Sequence, residues 1–192
     1  MELITEEIPV KGKAAETVEL RYSRHGPVLH RDLENHKGYA LQAAWLEIGT
    51  APYLASLRMD QATSFESFRE ACSFSGTPPE NMVWADTEGN IGWQAVGFTP
   101  VRKGWQGVLP VPGDGRYEWT GYLPIKSLPN VYNPPEGYFA TANQNNVPLD
   151  YPYHIGFQWS DPFRYQRLQE VLGSGKRLTL TDNMLLQHDE VA

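Results

Sequence analysis

GYFATANQNNVPLDYPYHIGFQWSDPFRYQRLQEVL, residues 137–172, is the stretch on which the reading of this chain turns. Residues 138–142 read as a strand that runs into a cluster of amides, Asn143, Gln144, Asn145 and Asn146. A helix is expected over 162–172, with Asp161 as N-cap, Pro162 at its first position and Gly173 as its terminator. Arg164, Leu168 and Val171 recur at i, i+4 and i+7, which puts an arginine on the apolar face, where it must find acceptors. Amides and a guanidinium donate hydrogen bonds to developing negative charge, so this pair of elements is where chemistry is expected. The same residues also suit a polar turn and a structural ion-pair anchor. No nucleophile is obvious beside them.

Working outward, the apolar share of 41% with 20% charged residues is that of a folded soluble chain, and 192 residues suffice for one core, so 1–192 is read as a single domain. A net charge of -7, with no basic stripe, argues against a nucleic-acid partner. Cys72 is the only cysteine, which excludes an intrachain disulfide and a zinc-type cysteine cluster. No apolar run approaches the length that spans a bilayer, so no membrane partner is expected, and residues 1–20 lack the plan of a signal peptide.

Toward the N-terminus, residues 2–10 and 15–22 alternate apolar and polar side chains around a turn at 11–13, the pattern of a hairpin. Strands at 28–31 and 39–45 are expected to follow. Thr50, with Pro52 in the first turn, opens a short helix whose inner face is Leu54 and Leu57. Thr63 and Glu66 form a capping-box pattern for a helix running to about Phe74, with Phe65, Phe68, Ala71 and Cys72 on one side. Residues 81–86 and 91–96 make a second hairpin around Gly89 and Asn90. From 97 to 133 Pro, Gly and aromatics dominate, and so long a loop needs its own side chains, or a function, to order it. A last helix starts after Thr179 or Thr181 and is expected to be still running at Ala192, which reads as an internal boundary.

Familiar catalytic signatures are missing. There is no G-x-S-x-G or H-E-x-x-H, and the histidines have no metal-ligand spacing. Gly173-Ser174-Gly175-Lys176 lacks the earlier glycine of a phosphate loop and follows a helix instead of opening one. Cys72 on an amphipathic face reads as core, and His25 as a hydrogen-bonded turn residue. Trp93, Trp105 and Trp119 with neighbouring tyrosines suit either packing or a carbohydrate platform, which leaves a stand-alone carbohydrate-binding or structural module as the alternative reading.

A series of motifs runs in register along the chain: Arg24-His25-Gly26-Pro27-Val28, NMVWADTEGNIGW over 81–93, Leu109-Pro110-Val111-Pro112-Gly113 and YEWTGYLP over 117–124. It continues through Asn133-Pro134-Pro135-Glu136-Gly137-Tyr138, Ala142-Asn143-Gln144-Asn145-Asn146, Tyr151-Pro152-Tyr153, FRYQRL over 163–168 and Gln187-His188-Asp189. Together these resemble the penicillin acylase family of N-terminal-nucleophile hydrolases over essentially the whole chain, as an internal fragment of the large subunit.

The resemblance implies an α+β fold of antiparallel sheets with flanking helices, part of a four-layer αββα enzyme made as a self-cleaving precursor. In that family a serine at the start of the large subunit attacks an amide carbonyl, its own α-amino group acting as base, and forms an acyl-enzyme. Asn145 aligns with the side-chain oxyanion donor and Arg164 with the arginine that orients groups at the catalytic centre. Ser56 and Glu80 fall where the family's acyl pocket is lined; both are polar, which disfavours a phenylacetyl-type acyl group, and the resemblance implies an acyl amide, penicillin-type or acyl-homoserine-lactone-type, as substrate. Met1 aligns inside the large subunit, so the serine, its backbone oxyanion donor, the remainder of the large subunit and the small subunit all lie outside 1–192. The segment alone is expected to be inactive and open to self-association through exposed sheet edges. No cofactor or metal ligand is expected within it; some members bind calcium, largely through other residues. By resemblance the parent enzyme is periplasmic or secreted.

Overall fold

The structure is a computed structural model and describes residues 1–50 and 53–191. The expected helix start at Pro52 lies outside the described residues. Two compact units are present, Met1–Thr50 with Pro100–Gly121, and Ala51–Thr99 with Tyr122–Ala192.

In the first unit the alternating segments form a four-stranded antiparallel sheet, β1 (Glu2–Ile8), β2 (Glu16–Ser23), β3 (Gly26–Asp32) and β4 (Lys37–Ala40), in chain order. Ile4 pairs with Leu20 and Glu2 with Tyr22, so the register follows the alternation. Gly26 allows the β2–β3 corner, because at its φ of 118° a Cβ would run into the carbonyl of Leu41. The expected fourth strand is cut short at Ala40, and residues 44–46 form a 3-10 turn instead. The Pro- and Gly-rich stretch is not one long loop: it contributes β7 (Pro100–Arg102) and β8 (Trp119–Tyr122), which pair as a two-stranded sheet.

The second unit carries the site. There β5 (Glu80–Ala85) and β6 (Ile91–Val96) form the expected hairpin, with Val83 opposite Trp93, and β9 (Asn130–Tyr132) adds to the far side of β6. Asp86 holds the hairpin turn, its carboxylate accepting from the backbone of Glu88 at 3.0 Å and Asn90 at 2.9 Å and from Asn90 Nδ2 at 2.9 Å. Those donors hold its carboxyl below the usual range, the Asn90 side chain contributing most.

Helix α1 (Ser56–Met59) is short, and Ala55 is buried beside it while Leu54 and Leu57 are exposed, contrary to their expected inner face. With so short a helix there is no continuous stripe to bury. In α2 (Phe65–Cys72) Phe68, Ala71 and Cys72 are buried as their spacing predicts. Its capping box is Ser64 with Ser67, one residue beyond the expected Thr63 and Glu66. Gln94 is fully buried and binds α2 to the rest: it accepts from Arg69 Nε at 2.8 Å and donates to the carbonyls of Ala95 and Ile125 at 2.9 and 3.0 Å.

Helix α3 (Phe163–Leu172) starts one residue later than expected, Pro162 being its N-cap with no side-chain cap bond. Helix α4 (Leu180–Leu186) is capped by Thr179 and Asp182 and stops at Leu186, well short of Ala192. Arg167 of α3 reaches past α4 to Asp189, at 2.8 and 3.0 Å. No helix among the described residues is long and apolar enough to cross a membrane.

Candidate functional site

The segment 138–142 is not a strand; it runs with no ladder partner among the described residues. A side chain replaces the ladder. Gln144, nearly buried, accepts from the backbone N–H of Ala142 at 2.7 Å and donates to Ala140 O at 3.4 Å, while Phe139 stacks on Trp93 with centroids 4.6 Å apart. A buried backbone group needs a partner, and an amide with a donor at one end and an acceptor at the other serves two at once.

Past that point the amides divide the work. Asn143 takes the left-handed backbone, φ 67°, which lets the chain turn sharply. Its Oδ1 accepts from Arg164 Nη2 at 2.9 Å, and its carbonyl accepts from Ser160 N at 2.9 Å. Asn146 Nδ2 donates to Asn81 Oδ1 on β5 at 3.0 Å, and the same oxygen accepts from Trp93 Nε1 at 2.8 Å. Asn145 sits exposed between these anchors, its Oδ1 accepting from Val147 N at 3.0 Å. That bond decides which way the amide faces: the oxygen turns back to the backbone and the NH2 turns out, with no acceptor among the described residues. Asn143 also keeps an NH2 without an acceptor there, its oxygen being held by Arg164.

Arg164 is exposed, together with Phe163, so the first turn of α3 extends beyond the half-buried face made by Tyr165, Leu168 and Val171. This corrects the expected inward position. Its guanidinium instead reaches Asn143 Oδ1 and Ser160 Oγ, at 2.9 and 3.3 Å, and ties α3 to the amide loop. Both acceptors are neutral, so the positive charge is not cancelled by a carboxylate within the bonds it makes.

Asn145 and Arg164 are thus brought to one loop, Arg164 through Asn143. Ser56 stands first in α1 and gives its hydroxyl to Tyr53 O at 2.5 Å; Glu80 opens β5 opposite Val96. Among the described residues no hydrogen bond joins either to Asn145 or Arg164. Burial pushes the Cys72 thiol up to about 12, as befits a core residue and not a nucleophile. Trp93 is 4% exposed, which removes it from any carbohydrate platform.

In the first unit His25 and Arg24 meet one carboxylate: Glu118 lies 3.0 Å from His25 Nε2 and 2.7 Å from Arg24 Nη2. The His25 contact, with Arg24 behind it, holds Glu118 below the usual carboxylate range. Nothing in the sequence joins residues so far apart, although both lie in the motif series. The Asn81 contact to Asn146 was equally hidden, across 65 positions. Among the described residues no three His, Cys, Asp or Glu side chains cluster so as to hold a metal ion.

The chain is similar to known proteins. The acyl-homoserine lactone acylase QuiP of Pseudomonas fluorescens is 35% identical over 189 residues, 94% of this chain and 23% of its own length. Penicillin G acylase of Escherichia coli is 35% identical over 178 residues, 91% of this chain and 21% of its own. The chain therefore spans less than a quarter of either relative. The solved structure of a thermostable penicillin G acylase from Alcaligenes faecalis matches with a TM-score of 0.82 at 27% identity, covering 98% of this chain and 34% of that one. The α+β arrangement of antiparallel sheets and helices is accordingly that of penicillin G acylase, an N-terminal-nucleophile hydrolase. The sequence model of the family described as penicillin amidase matches residues 1–192, and the chain belongs to that family.

Proposed function

We propose that residues 1–192 are one domain-sized segment of the large subunit of an amidohydrolase that cleaves an acyl amide, penicillin-type or acyl-homoserine-lactone-type, through an N-terminal serine acyl-enzyme. The serine, its backbone oxyanion donor and the small subunit come from outside the segment, as the short coverage of the relatives supports. When the serine hydroxyl adds to the amide carbonyl, the carbonyl oxygen becomes an oxyanion, and Asn145 Nδ2 donates to it. The serine's own α-amino group takes the hydroxyl proton and passes it to the amine, which collapse of that intermediate expels, leaving the acyl-enzyme that water then hydrolyses. Arg164 sets the loop through Asn143 and adds positive charge nearby. Ser56 and Glu80 line the acyl pocket, and the parent works in the periplasm or outside the cell.

The observation that carries this reading is the Val147 N–H bond to Asn145 Oδ1, at 3.0 Å, which leaves the NH2 outward and without an acceptor among the described residues. A donor already aimed costs no reorganisation when charge develops, and losing one such donor raises the barrier by about 3 kcal/mol. In the full-length protein, Asn145→Ala should lower kcat about 100-fold with the fold intact by circular dichroism. Asn143→Ala, which removes the other free NH2 along with the Arg164 acceptor, is the control. If Asn145→Ala turns over normally while Asn143→Ala does not, the donor is misassigned.

A further inference from the structure

We propose that Asn81, on β5, is a positioning residue for the oxyanion loop, acting through Asn146; the proposal rests on the reading of Asn145 as the oxyanion donor. An indole N–H only donates, so the Asn81 atom 2.8 Å from Trp93 Nε1 must be its oxygen. With that amide's orientation settled, Asn146 has to present its NH2 to the same oxygen, which it does at 3.0 Å. Trp93 itself cannot shift: it is 4% exposed, paired across the hairpin with Val83, and stacked on Phe139, the residue that leads into the amide loop. One oxygen therefore joins the rigid β5–β6 hairpin to the residue next to Asn145.

The far side of the loop is held separately, by Arg164 and Ser160 on Asn143. Asn145 lies between two clamps, and its own bond to Val147 sets only the local twist. Removing the Asn81 clamp frees the loop downstream of Asn145 and moves the Nδ2 donor relative to a nucleophile carried by another part of the protein. Small displacements of this kind reduce turnover strongly while leaving the groups that recognise substrate in place.

The test uses the full-length protein and an acyl-homoserine lactone or a penicillin as substrate. Asn81→Leu keeps the size and removes the acceptor; kcat should fall about 10- to 100-fold with KM within about 3-fold. Asn81→Asp keeps an oxygen for both donors and should retain most of the turnover, a rescue that a merely structural role for the amide would not require. Asn146→Leu breaks the same link from the other side, so it should match Asn81→Leu, and the double variant should be no worse than either single one.

Should Asn81→Leu fail to fold, the Asn146→Leu and Asn81→Asp variants decide the matter. Normal turnover in Asn146→Leu, or losses that multiply in the double variant, overturns the assignment of Asn81. Those outcomes alongside a dead Asn145→Ala leave the oxyanion reading standing. Normal turnover in Asn145→Ala instead overturns the oxyanion reading, and the route from Asn81 with it.

Discussion

Gln94 shows what a single side chain decides in this protein. It is fully buried and spends both ends of its amide, on Arg69 at one side and on the carbonyls of Ala95 and Ile125 at the other. Gln94→Met fills similar space but takes the acceptor from the half-buried Arg69 guanidinium N–H and the donor from the Ala95 carbonyl, while the Ile125 carbonyl keeps Leu128 N, at about 1–3 kcal/mol for each orphaned group. Hydrogen exchange should report it, since the Ala95 N–H donates to Pro129 O at 2.9 Å across this region. Exchange there should speed up about 10- to 100-fold, and unchanged protection would mean that Gln94 is not the tie it looks to be. The sequence marks Gln94 only as a polar residue in a strand; its burial depends on α2 packing over it. Arg164 makes the opposite case, since its spacing puts it on the apolar face while the structure leaves it exposed and bound to Asn143 and Ser160.

Among the elements, those whose signals are local were legible. The β5–β6 hairpin, the buried face of α2 and the start of α4 all follow from turn residues, periodicity and caps, with errors of one or two residues at the ends. The segment 138–142 has strand composition but no strand, because a strand needs a neighbour and Gln144 meets its backbone groups instead. β7, β8 and β9 were missed for the converse reason: three or four residues within a Pro- and Gly-rich run carry no period to read.

The hairpin turn yields a pH prediction. Asp86 is depressed in the folded state, so the stability it contributes is complete above its unfolded value and is lost as pH falls through the lower folded one. Asp86→Ala should lower the melting temperature near neutral pH and have progressively less effect as pH drops toward about 2. An equal effect at both extremes would show that the turn does not depend on the carboxylate.

At the scale of the whole molecule, the exposed apolar side chains carry the message. Ile48 and Leu149 are fully exposed, and Leu29, Trp45, Val83 and Leu180 are each more than half exposed. Val83 lies on β5, an edge strand of its sheet, and an apolar open edge invites pairing. The relatives are more than four times the length of this chain. Residues 1–192 expressed alone should therefore hydrolyse no acyl amide and should associate, read by sedimentation. Turnover by the isolated segment would refute its dependence on outside residues, and a monodisperse monomer would refute the open-edge argument.

What the sequence by itself determined is the set of local elements and, through the motif series, the family. Turn chemistry, capping and hydrophobic period act within a few residues, and a run of motifs in order survives where single motifs are ambiguous. Only the tertiary structure decided that Arg164 is held by Asn143 and that one oxygen of Asn81 serves both Trp93 and Asn146. Those are hydrogen bonds between groups far apart in the chain, and their geometry exists only once packing has brought the backbone segments together.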